Sequence, residues 1–223
     1  MYKVFKIFSF ILLIGILFLF LGNLVNDFVG RPFWTITKII YLGFDNNFSA
    51  WYSSIVLFWS ALLWFFLFFN LKSRLSFFES LVFALFVLLL FFMSADEVSQ
   101  FHETFGGLLS KYLGISGKGF AKHTSWVYSL GPIIFSLFLF FMWNFWKIFN
   151  FYFFTQKRYF YVLICGFILI FIGGVCLETS INFLNHDELQ FIWDLEVIFE
   201  EIFEMFGSWL LGYSALNLLN EYL

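Results

Sequence analysis

The chain has 223 residues, of which 62% are hydrophobic and 12% charged, with a formal net charge of −3 and a mean hydropathy of +0.90. This composition excludes a soluble globular domain and a basic nucleic-acid binder, and makes an all-α integral membrane protein the class to expect. The 40 phenylalanines are spread over every segment and read as bulk apolar side chains rather than as a ligand site.

Six apolar runs are long enough to span, since roughly 20 helical residues cross a hydrocarbon core of about 30 Å. They cover approximately 5–27, 51–70, 76–98, 125–149, 159–183 and 190–219, within one polytopic membrane domain over 1–223. The ten-residue alternation of a membrane β-barrel is absent, so the expected fold is a bundle of about six transmembrane helices. In the first run Lys3 and Lys6 precede an apolar stretch that continues to Asn23 without a small-x-small cleavage pattern, which reads as an uncleaved helix. Cys165 and Cys176 both lie in the fifth run, about 16 Å apart at 1.5 Å per residue, and cannot pair with each other.

Lysine and arginine in the short flanks set the expected orientation. With both termini cytoplasmic, the inner side carries Lys3, Lys6, Lys72, Arg74, Lys147, Lys157 and Arg158, against Arg31, Lys38, Lys111, Lys118 and Lys122 outside. This points to a bacterial inner (plasma) membrane protein. Trp34, Trp51, Tyr52, Trp126 and Trp193 then mark the outer interface, and Trp143, Trp146, Tyr159 and Tyr161 the inner one.

Eleven of the fifteen acidic residues fall in two stretches, Asp96 to Glu103 and Glu178 to Glu204, both inside or against apolar runs. Carboxylates at membrane depth are costly unless paired, protonated, metal-bound or wet, so their clustering marks a functional site. The expected topology brings both stretches, with His102, His123 and His186, to the outer (periplasmic) face. At about 100° per residue Asp96, Ser99, Gln100 and Glu103 share one helical face, with His102 on its shoulder and Glu97 turned away. Glu196, Glu200 and Glu204 recur every four residues in the last run. Three glutamates one turn apart repel each other in an isolated helix and require a cation or protons among them. Glu178 lies one turn from Gly174, and Gly173 and Gly174 permit close approach of another helix. The third, fifth and sixth helices are therefore expected to build one pocket, while Asp187, Glu188 and Asp194 read as surface charges.

Carboxylates with imidazole suit a divalent Zn, Fe or Mn ion. The expected ligands are Asp96, Glu97, His102, Glu178, Glu200 and Glu204, with Glu103 and Glu201 as candidate catalytic carboxylates. No known motif is matched: the helical Glu-x-x-His pairing of di-iron bundles is missing, and Gly106 stands where a His-Glu-x-x-His zinc site needs its second histidine. GISGKG at 114–119 lacks the Ser or Thr of a phosphate loop and reads as a flexible connection.

Two functions fit these residues, and a third is in reserve. One is a metal-dependent membrane hydrolase or oxidoreductase acting on a lipid or other apolar substrate. A second is a proton- or cation-coupled transporter or channel. That reading is weakened by the lack of an inverted repeat and by the bare apolar stretch 83–93 in the third run. A non-catalytic subunit of a membrane complex is the reserve reading.

Overall fold

The computed structural model describes residues 2–44, 46–115, 125–180 and 190–220, and is 89% helical, with no strand among the described residues. In chain order the helices are α1 (Tyr2–Phe28), α2 (Trp34–Ile40), α3 (Phe48–Leu71), α4 (Phe77–Ser99), α5 (Phe101–Tyr112) and α6 (Ser125–Tyr152). A short 3-10 turn leads into α7 (Lys157–Phe171), which passes through a π-helical turn (Ile172–Leu177) into the three-residue α8 (Glu178–Ser180); α9 (Gln190–Leu219) follows. Five of these segments are long and apolar enough to cross a membrane: Tyr2–Phe28, Phe48–Leu71, Phe77–Ser99, Trp126–Tyr152 and Phe154–Ser180. The last run forms the 30-residue α9, which differs from them in carrying five carboxylates in its first half.

That acidic helix is the centre of the bundle, packed against α7, α3 and α1. Small residues allow this. A methyl group added to Gly207 would lie 2.7 Å from the Gly166 carbonyl oxygen, and one on Gly212 would strike Ser60 Oγ at 2.5 Å. Buried polar groups on this seam bond backbone carbonyls across the helices. Ser60 Oγ donates to Ser208 O at 2.6 Å, Trp64 Nε1 to Leu211 O at 2.9 Å, Trp209 Nε1 to Ser9 O at 2.8 Å and Ser214 Oγ to Tyr159 O at 2.8 Å. Between helices in lipid, where burial of apolar surface drives little, such close contacts and hydrogen bonds supply the specificity.

One end of the bundle is basic and packed shut. Trp64, Phe83, Phe86, Phe145 and Phe149 are fully buried there, and their rings meet edge-on or tilted at centroid distances such as 4.9 Å for Phe86–Phe145 and 5.1 Å for Trp64–Phe86. At its rim Lys72, Lys147, Lys157 and Arg158 lie over Phe69, Trp143, Phe154 and Tyr159. A Ser76–Glu79 capping box starts α4, and Tyr152 OH donates to Glu79 Oε2 at 3.0 Å.

The opposite end is acidic and tied by a polar network that sequence reading missed. Asn23 donates to Ile40 O and accepts from Leu42 N, holding the segment after α2 onto α1. Arg31, with φ 54°, pairs with Asp27 at 2.6 Å and Asp194 at 2.9 Å, and Tyr41 OH reaches Asp194 at 3.2 Å. Asp194, expected as a surface charge, thus anchors the N-terminal part of α9. Burial, with the charge of Asp194 beside it, pushes the Tyr41 hydroxyl up to about 12. Asp187 and Glu188 lie outside the described residues.

Candidate functional site

The third run does not continue as one helix through the acidic stretch, which corrects the expected face of Asp96, Ser99, Gln100 and Glu103. α4 ends at Ser99, Gln100 takes a left-handed conformation at φ 53° and ψ 35°, and α5 starts at once in a new direction. A non-glycine residue here carries a local conformational cost that surrounding contacts must offset. Asp96 supplies such contacts. One of its oxygens accepts the His102 backbone N–H at 2.9 Å, capping the orphan first turn of α5, and the other lies 2.6 Å from His102 Nδ1. α5 is seated on α6, where Gly106 meets Trp126 and Ser129 Oγ donates to Gly106 O at 3.0 Å.

Trp126 joins the same cluster. Read from sequence as an interface residue, it is 8% exposed; its Nε1 donates to Glu178 Oε1 at 2.5 Å and its ring lies edge-on to His102 at 4.5 Å. Trp34 and Trp51, by contrast, are exposed, as an interface belt requires. No sequence signal separated Trp126 from its belt companions.

Glu178 sits where the π turn hands over to α8. π turns insert an extra residue into a helix and recur at functional sites. α9 crosses this turn closely: a methyl group on Gly173 would lie 2.7 Å from Glu200 O, and one on Gly174 2.5 Å from Glu204 Oε1. Gly174 makes room for the Glu204 carboxylate. One turn before Glu200, Glu196 is buried; Ser180 Oγ donates to its Oε1 at 3.3 Å, while Oε2 has no hydrogen-bond partner among the described residues.

Asp96, Glu97, His102, Glu103, Glu178, Glu200, Glu201 and Glu204 all line one cavity of about 430 Å³. Glu97, which the helical wheel turned away, is among them. The fourth span takes part as well, contributing Trp126 and an apolar wall that runs through Leu130, Ile134 and Phe138 to Phe141. Beyond its acidic head the cavity is walled by apolar side chains of α4, α6 and α7 and ends on Phe86 and Phe141, whose rings touch at 5.3 Å. His123 and His186 lie outside the described residues.

The electrostatics of His102 follow from this setting. Burial opposes its charging, but the hydrogen bond and charge of Asp96, helped by Glu103 and Glu178, outweigh burial and hold the imidazolium to higher pH than in an ordinary histidine. With Nδ1 held by Asp96, Nε2 is left as the nitrogen for chemistry, the arrangement that orients a general acid or base. Among the described residues no three His, Cys, Asp or Glu side chains converge into a group that could hold a metal ion. Asp96 explains part of this, because both of its oxygens are engaged by His102.

Among the described residues, fold and site together are all-helical, with five candidate spans and an acidic-headed, apolar-walled cavity. The chain belongs to the family described as a domain of unknown function, DUF8692, which matches it over residues 8–218. No curated protein and no solved structure matches it.

Proposed function

We propose that this chain is a multi-pass membrane enzyme that acts on a lipid or other apolar substrate, with the polar end of that substrate held among Asp96, His102, Glu103, Glu178, Glu200, Glu201 and Glu204. The observation that carries this reading is the cavity: one end gathers the acid–base groups and the remainder is an apolar chamber of the size used for small molecules. In this reading His102, oriented by Asp96, transfers the proton, and the glutamates bind and polarise the reacting group. A pathway across the membrane is disfavoured by the aromatic packing of Trp64, Phe83, Phe145 and Phe149 beneath the cavity. The excess of lysine and arginine at the opposite end supports an outward-facing site in a plasma membrane.

A divalent ion is the second reading, favoured by seven carboxylates and an imidazole on the wall of a single cavity. Glu178, Glu200, Glu204 and His102 Nε2 have the right chemistry for Zn, Fe or Mn, with Asp96 orienting the imidazole from behind. Side chains would have to draw together to complete the site.

Extraction of the purified protein, followed by mass spectrometry of the co-purifying small molecules and elemental analysis of the protein, tests both. The first reading expects a stoichiometric apolar compound that is lost or changed in His102→Ala. Protein that is folded, free of any such compound and unable to bind or convert any lipid extract overturns it. Stoichiometric metal that disappears with Glu200→Ala establishes the second.

A further inference from the structure

The cavity is open along its side as well as polar at its head. Phe92, Phe101 and Phe105 on α4 and α5, and Ile133 and Leu137 on α6, line it and at the same time are 39–55% exposed on the outer surface of the bundle. Phe92, Phe101 and Phe105 form a continuous lip, with Phe101 stacked on Phe105 at 5.8 Å and Phe92 edge-on to Phe101 at 5.8 Å. Because α4 and α6 are membrane-spanning segments, this slot joins the apolar chamber to the lipid-facing surface. A water-soluble substrate has no use for such an opening. A chain already dissolved in the bilayer does.

The length and charge of the chamber define the molecule further. From Glu97 to Phe86 the α4 wall runs eleven residues, about 16 Å at 1.5 Å per residue, enough to lay out a long alkyl chain. The head end presents Glu178, Glu200 and Glu204 from two closely packed helices, and no lysine or arginine is among the described residues that line the cavity. The one cation of the head among the described residues, the His102 imidazolium, is already paired with Asp96, so a carboxylate or phosphate head would meet net repulsion from the remaining glutamates. An ammonium would form charge-assisted hydrogen bonds, with the Trp126 indole beside it.

Resting on the proposal that this cavity takes an apolar substrate, we infer that its ligand is a single-chain amphiphile with a positively charged amine head, loaded sideways from the bilayer between the Phe92–Phe101–Phe105 lip and α6. The amine sits at Glu178, Glu200 and Glu204, and the chain extends toward Phe86 and Phe141.

The test uses the full-length protein in nanodiscs of neutral lipid and three probes that differ only at the head: hexadecylamine, hexadecanol and hexadecanoate. Binding is followed by native mass spectrometry and by quenching of tryptophan fluorescence. The amine is expected to bind about tenfold more tightly than the alcohol, the size of one hydrogen bond to a charged group, and the carboxylate most weakly. In Glu200→Gln and Glu204→Gln, conservative changes that keep side-chain volume, the amine preference should shrink while hexadecanol binding persists. Ile133→Trp, which narrows the slot, should slow loading of both amine and alcohol. Equal binding of amine and alcohol, or tighter binding of the carboxylate, overturns the cationic head and leaves the apolar-substrate reading standing. Failure of all three probes overturns both.

Discussion

Asp96 grips His102 twice, accepting its backbone N–H at 2.9 Å through one carboxylate oxygen and lying 2.6 Å from its ring Nδ1 through the other. One side chain thus terminates the α4–α5 joint and orients the imidazole. Asp96→Asn should keep the backbone bond, since an amide oxygen still accepts, but lose the charge. The His102 titration followed by NMR is expected to move to lower pH than in the parent. An unchanged titration would show that Asp96 does not control the ring.

The sign of the pH dependence follows from the same pair. His102 is charged more readily in the fold than at its ordinary value of 6.5, so its stabilising contribution is complete below about pH 6.5 and is lost as pH rises through the folded-state pKa. Thermal unfolding in detergent should therefore show a parent-minus-Asp96→Asn difference in Tm that is largest on the acid side of this window and shrinks above it. A difference that grows as pH rises contradicts the assignment.

Trp126→Phe keeps an aromatic ring against His102 and removes the indole N–H from Glu178. Leaving a buried carboxylate short of a donor costs about 1–3 kcal/mol. The variant should be less stable by that order and should alter catalysis or ligand binding, whereas Trp34→Phe, at an exposed position, should change neither. Equal effects at the two positions would remove Trp126 from the site.

Gly207 and Gly166 set the α7–α9 spacing on which the glutamate head depends. Gly207→Ala pushes a methyl to 2.7 Å from the Gly166 carbonyl oxygen, an overpacking expected to cost about 1–3 kcal/mol. Gly107→Ala, with nothing within 4 Å of the added methyl, should be neutral or slightly stabilising in its helix. Unfolding midpoints that do not separate the two variants would argue against a tight crossing.

The runs of apolar residues made the long helices legible, because hydropathy over twenty residues reports directly on membrane crossing. Clustering of acids likewise pointed to the residues that line the cavity. The Gln100 joint was not legible: SADEVSQFHE contains no glycine or proline, and its left-handed residue is bridged by the Asp96–His102 contact across the joint rather than marked by a turn-favouring residue. α5 and α2 are too short for a hydropathy window, and the π turn before Glu178 has no distinct residue code. Asp194 was misplaced for a related reason, since its partner Arg31 is 163 positions away and only the folded bundle brings them together.

The aromatic floor gives the cavity one further property. With Phe86 wedged among Trp64, Phe141 and Phe145, the chamber is a cul-de-sac at this end, so the proposed occupant does not leave through the floor. If the proposed enzyme reading holds, a spent molecule that lingers blocks its successor, and turnover in such a dead-end vessel is governed by how readily it empties.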